Sequence, residues 1–297
     1  MHIKKINCTL IIPVMKKLFI VLFIILLQTP VIGGGGWPQP KGKGYFKLSQ
    51  FWILSNQYFN SIGTVEPTRD QGLFFTSAYG EYGLSDRFTA VVNWPLYARA
   101  VAYEQTGAMG QINAPQDAIN GVGDMDLSVK YGLTNGKSIA VSASLILGLP
   151  FGESSGGVDG ILQTGDGEFN QIIQLDAGKG FKIGSLHPYA NAFVALNNRT
   201  NGFSDEFRYG IEVGLEYKFI FVLLRVNGVR SFMNGNRVPI ADGTSLFANN
   251  AEYLAITPEV SIKLSDKWGI SANMGTAAWG KLIFANRTYS VGAYFKL

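Results

Sequence analysis

The sequence predicts an all-β fold: a single antiparallel, up-and-down transmembrane β-barrel of about twelve strands, with short periplasmic turns and long extracellular loops. Three observations predict it. Segments of about ten residues alternate between apolar and polar side chains. Tight turns take turns along the chain with long polar connections. Aromatic residues on the apolar parity gather near both ends of the segments, as they do at the two interfaces of a membrane.

The stretch DMDLSVKYGL, residues 124–133, shows the alternation without a break. Asp124, Asp126, Ser128 and Lys130 share one parity; Met125, Leu127, Val129, Tyr131 and Leu133 share the other. In a strand these parities are opposite faces. A soluble sandwich alternates too, so the pattern alone does not say which face is inside. In hydrocarbon every backbone polar group must be paired within the sheet, so the sheet must close. The oily face then turns to lipid and the charged face to the lumen.

The chain has 297 residues. From Met15 it reads MKKLFIVLFIILLQTPVIGGGGW, a basic start, a ten-residue apolar run Leu18–Leu27 and then small and polar residues. That is a secretory signal, too short for a spanning helix. Residues 1–33 are therefore read as a signal peptide, with Met15 as an alternative start, and 34–44 (GGGWPQPKGKG) as a flexible lead-in. The barrel is expected over 45–297. The formal balance is 25 basic to 21 acidic residues, and the leader holds Lys4, Lys5, Lys16 and Lys17. The remainder carries 21 of each, so the basic pI belongs to the leader and nucleic acid is not an expected partner. Cys8 and His2 also fall in the leader. No disulfide, zinc or cofactor site is expected beyond it.

Strands are expected at 45–57, 72–83, 88–98, 122–133, 138–150, 168–178, 187–197, 206–217, 220–232, 251–264, 267–279 and 286–297. Leu84–Arg87, Thr134–Lys137 and Leu264–Lys267 are tight turns, the second centred on Asn-Gly. Lys179–Ser185 is slightly longer, and a fifth turn falls near Lys218–Ile220. Long connections are expected at 59–70, 102–121, 151–168, 197–206 and 233–250, with a shorter one at 280–286. Residues 206–219 repeat the two-faced pattern, with Ile211, Val213 and Leu215 opposing Glu212 and Glu216.

The lumen-facing residues follow from parity: Glu81, Asp124, Asp126, Lys130, Arg208, Glu212, Glu216, Arg225, Glu259 and Lys263. A second inward group is apolar or aromatic, Tyr45, Phe51, Phe75, Tyr79, Phe193 and Tyr253, and could form a constriction or fill the bore. Interface aromatics are Tyr82, Phe88, Tyr131, Tyr217, Trp268 and Phe295 beside the tight turns, and Trp52 and Trp94 toward the long loops, where Phe207 and Tyr209 also lie.

PKGKGYFKLSQ (40–50), EYGLSDRFT (81–89) and GVGDMDLSVKYGL (121–133) resemble a bacterial outer-membrane family often labelled as meta-pathway phenol-degradation or transporter proteins. Its members are related by architecture to long-chain fatty-acid and aromatic-hydrocarbon channels. The resemblance implies a bacterial outer-membrane location and uptake of small, often hydrophobic compounds; it brings no catalytic residue. The chain departs from the commonest barrel ending by closing on Leu297, with Phe295 on the same face for recognition by barrel-assembly machinery.

Catalysis is not expected. A serine–histidine pair would need His187, the histidine left after the leader. Asp124 and Asp126 are neighbours on one face, but lumen carboxylates more often pair with lysine and arginine. GDGE at 165–168, near Asp159, lacks EF-hand spacing and reads as a turn. Gly33–Gly36 has no preceding strand or following helix to make a phosphate cradle. The two glycan acceptor patterns, at Asn198 and Asn286, carry little weight in a bacterial envelope. Two functions stay open: a passive channel for small, hydrophobic or aromatic solutes, or a non-conducting structural or surface-binding barrel with a filled lumen. The mixed signs of the lumen argue against a strongly ion-selective pore.

Overall fold

The computed structural model describes residues 35–134, 138–236 and 246–297. The expected signal peptide and the expected Asn135-Gly136 turn centre lie outside the described residues. Twelve long antiparallel strands close on themselves. They are β1 (Gly44–Phe59), β2 (Val65–Gly83), β3 (Phe88–Ala102), β4 (Met125–Gly132), β5 (Ala140–Leu149) and β6 (Asn170–Gly180), then β7 (His187–Asn198), β8 (Glu206–Tyr217), β9 (Ile220–Ser231), β10 (Glu252–Lys263), β11 (Trp268–Lys281) and β12 (Thr288–Lys296). Each pairs with its sequence neighbours. β12 returns to β1 in a register running from Tyr45 opposite Lys296 to Ile53 opposite Thr288, so this sheet has no free edge along its spanning part.

Burial settles which face is inside. Ile173 is 65% exposed and Ile211 56%, whereas Glu81 is 1% and Lys130 7% exposed. Leu127, Val129, Val213, Val222 and Val260 are all outside as well. A water-soluble sheet could not hold that arrangement, because it would bury charges and expose its apolar stripe. Aromatic pairs mark both borders of the apolar band. Phe88–Tyr131 and Trp268–Phe295 meet at 4.8 Å near the short turns. Trp52–Tyr289 (5.8 Å) and Phe207–Tyr209 (5.7 Å) meet toward the long loops. Tyr82 and Tyr217 are exposed on the short-turn side, and Trp94 packs near Phe151 at 6.2 Å.

Three expectations are corrected. The stretch 59–70 is not a loop. β1 and β2 continue as a paired ribbon to Phe59 opposite Val65, turning over Asn60–Thr64. Pro67 and the charges around it look like a loop, but a register shift between Ser55 and Gln57 lets the ladder run through. The connection 102–121 is likewise partly strand, since residues 117–121 extend the sheet along β3.

The lead-in is the third correction. Residues 35–43 are fixed against the inner wall at the short-turn end, as a strap reaching from β7 to β2. Gly36 N–H donates to Asn191 Oδ1 at 2.9 Å, and Gln39 N–H donates to Thr89 Oγ1 at 2.8 Å. Gln39 Nε2 donates to Glu81 Oε2 at 2.9 Å. Trp37 meets Tyr189 edge-on at 6.0 Å. The wall is notched by glycine to receive it. A Cβ at Gly178 would run into the Trp37 ring, and one at Gly132 would stand 2.9 Å from Pro38. The Gly/Pro composition that looks like a linker instead suits an extended segment that joins the sheet through an isolated bridge, Lys41 with Gly83; its fit is written in other strands.

Candidate functional site: the lumen

The barrel encloses a cavity of about 640 Å³. Of the ten polar residues expected to line the lumen, eight do so: Glu81, Asp126, Lys130, Glu212, Glu216, Arg225, Glu259 and Lys263. The strap floors it on the β2–β7 side. On the β8–β12 side the lining continues through Glu216, Phe219, Lys263 and Lys296 to the exposed short-turn rim.

Inside, opposite charges are paired. Arg225 reaches Glu212 through Nη2 at 2.6 Å and Nε at 2.9 Å, and Tyr189 Oη donates to the other Glu212 oxygen at 2.5 Å. Lys47 Nζ lies 3.0 Å from Glu259, which also accepts from Asn273 at 3.3 Å. Glu81 is held by Gln39 and by the Tyr79 hydroxyl. Such pairs bring little net stability when buried, but breaking one leaves an uncompensated charge. Lys47, Asp176, Tyr189 and Asn191 were not singled out from the sequence. The parity of Gln174 and Asp176 against Ile173 and Leu175 was the available signal for Asp176.

The expected apolar constriction is split. Tyr45, Tyr79 and Phe193 line the cavity. Phe51 and Phe75 do not; they stack at 5.8 Å and join a packed apolar core at the long-loop end. Ile53, Leu73, Leu162 and Phe284 form that core, with Phe247 edge-on to Phe75 at 6.3 Å. Loop side chains, Leu162 and Phe247 among them, thus pack against the strands at that end. Tyr253 is half-buried near Arg208, away from the cavity.

Asp124 and Arg208 also stand outside the cavity, in a polar clamp that holds the long loops. The Arg199 side chain, 4% exposed, bridges Asp166 and Glu206, both at 2.9 Å, and stacks 4.3 Å from the Phe203 ring centre. Arg208 joins Glu206 at 2.7 Å. Thr200 Oγ1 donates to Glu168 at 2.9 Å. GDGE at 165–168 is a turn with Gly167 at φ 73°, where Asp166 accepts the Glu168 N–H. Replacing Arg199 by alanine leaves the part-buried Asp166 without its cation and the buried Glu206 with Arg208 alone; it should cost about 3–5 kcal/mol and speed cleavage at Phe151 and Leu162, measured by limited chymotrypsin digestion.

Asp124 accepts the backbone N–H of Gly152 (2.8 Å) and of Asp166 (2.7 Å) and so pins loop 151–168 to β4. Burial, aided by the neighbouring Asp166 carboxylate, pushes its pKa up to about 6. The folded chain therefore holds this proton more tightly than the unfolded one. The contribution to stability is full below about 3.8 and is lost as pH rises through about 6. Unfolding midpoints should fall from about pH 5 to about pH 7, and Asp124→Asn should flatten that slope. Asp124 and Asp126 thus serve different regions despite their spacing, and His187 opens β7 opposite Glu216, at the short-turn rim.

Comparison with solved structures was made on this geometry. An outer membrane channel from Pseudomonas putida F1 superposes with a TM-score of 0.55 at 14% identity, over 90% of this chain and 100% of that one. The chain has the closed antiparallel fold of an outer-membrane β-barrel. The β domain of the Bordetella autotransporter BrkA (TM-score 0.48, 13% identity, 87% of this chain and 100% of that one) is more distant. So is the KdgM porin in complex with oligogalacturonate (TM-score 0.42, 7% identity, 85% and 99%). No family model matches the chain. No curated protein matches it either.

Proposed function

We propose that this barrel is a passive channel that carries small solutes across the bacterial outer membrane. One observation carries the reading: a closed barrel with an apolar exterior surrounds a polar cavity that reaches the short-turn rim. The short turns would then face the periplasm and the long loops the exterior. Stacked rings at Tyr45–Tyr294 (5.5 Å) and Tyr189–Phe221 (6.0 Å) offer the solute an apolar surface beside the charge pairs. The lumen therefore suits an amphipathic solute, with an aromatic or aliphatic body and a polar group, better than a pure hydrocarbon. The lipid of the outer membrane is the partner of the outer face, and the C-terminal strand with Phe295 is the segment offered to assembly machinery.

The apolar core at the long-loop end favours a second reading, a non-conducting barrel whose loops do the recognition. Liposome swelling with the full chain separates the two. Flux that falls with solute size supports the channel. Absence of swelling for every solute, in the wild type and in variants with the strap contacts removed, supports the filled barrel.

A further inference from the structure

Lys130 is buried, yet its side chain faces the cavity. Among the described residues it makes neither an ion pair nor a side-chain hydrogen bond, unlike Lys47 and Arg225. Its register partners are Thr89 on β3 and Ser144 on β5. The Thr89 hydroxyl accepts from the strap, so the strap lies directly beneath this position. Ser144 and Ser128, the latter two residues along the same face, also line the cavity, and neither hydroxyl has a hydrogen-bond partner among the described residues. Asp176 is near enough to interact with Lys130 electrostatically, but its carboxylate is taken by Gln174 at 2.9 Å and lies beyond ion-pair distance.

An ammonium and two hydroxyls, unpartnered on adjacent strands and turned to one cavity, make a receptor for an oxyanion. We propose that Lys130, Ser128 and Ser144 bind the carboxylate of a small organic monoanion within the lumen. This rests on the channel reading and names its solute class. One carboxylate fits better than two, because Lys47 and Arg225 on the same lining are already paired with Glu259 and Glu212, and Asp126, Asp176 and Glu216 add negative charge without an ion pair among the described residues. The cavity volume admits a molecule the size of benzoate, with its ring free to meet the tyrosines.

The test uses the full chain and sodium benzoate, with benzyl alcohol and benzylamine as neutral and cationic compounds of the same size. Two readouts are taken: block of single-channel current in planar bilayers, and calorimetric titration in detergent. Benzoate should bind and block, whereas the other two should do so at least about tenfold more weakly, the loss expected for a charge-assisted hydrogen bond. Lys130→Met should raise the half-blocking and half-binding concentrations by a similar factor. Lys130→Arg should largely restore them, and Lys267→Met, at the exposed rim, should leave them unchanged. Ser144→Ala should give a smaller loss if Lys130→Met does not fold. Calorimetric binding that depends on Lys130 without any current would overturn the channel reading and leave the site standing. Current with a benzoate response that Lys130→Met and Ser144→Ala leave unchanged would overturn the site, with Lys130 then serving Asp176 as a distant counter-ion.

Discussion

Changing Trp37 and Gln39 together to alanine should raise single-channel conductance several-fold. The strap crosses the short-turn end, and its grip is specific. The Trp37 ring fills the notch at Gly178 and meets Tyr189, while Gln39 is tied to both Thr89 and Glu81. Without the ring and the Glu81 bond, it is chiefly main-chain bonds, at Gly36, Gln39 and Gly42, that hold nine residues of Gly/Pro-rich chain against their conformational entropy. The complementary change, Gly178→Leu, places a side chain where the ring sits and should have the same effect without touching the strap. Both are read as open-channel current in planar bilayers. Unchanged conductance in both would mean that the apolar core at the other end alone limits the pore.

A lysine on the outer face should be costly where one on the inner face is not. Val213 sits on β8 between the Phe207–Tyr209 pair and Tyr217, and it is 47% exposed. Val213→Lys should destabilise the barrel by about 2–4 kcal/mol, the penalty for a cation near the bilayer midplane. Asn93→Lys lies on the inner face opposite Asp126, where water and a carboxylate receive it, and it should cost under about 1 kcal/mol. Equilibrium denaturation in lipid vesicles measures both. Equal costs would remove the distinction between the two faces.

Much of this architecture was legible because a membrane strand writes its two faces into every second residue. Residues 124–133 and 206–219 carry the whole inversion. Closure follows once backbone pairing in hydrocarbon is required. Less legible was whatever depends on contacts between distant segments. Pro67 and its charged neighbours look the same in a loop as in a ribbon standing beyond the membrane. The strap has no period, and its partners Gly178, Asn191 and Glu81 lie on three separate strands. Parity placed Phe51 and Phe75 inside, but nothing local could tell a lining residue from one packed under Leu162 and Phe247. Asp124 looked like Asp126 until loop 151–168 claimed its oxygens.

The orientation of the side chains is tested most directly by a single-cysteine scan from Met125 to Tyr131. The chain's one native cysteine, Cys8, precedes the barrel strands and is first replaced by serine, so that no background thiol remains. In lipid vesicles, labels at 125, 127, 129 and 131 should be quenched by lipid-borne reagents, and labels at 126, 128 and 130 by small aqueous ones. The reverse alternation, or aqueous access at every position, would contradict a barrel that turns its apolar face to lipid.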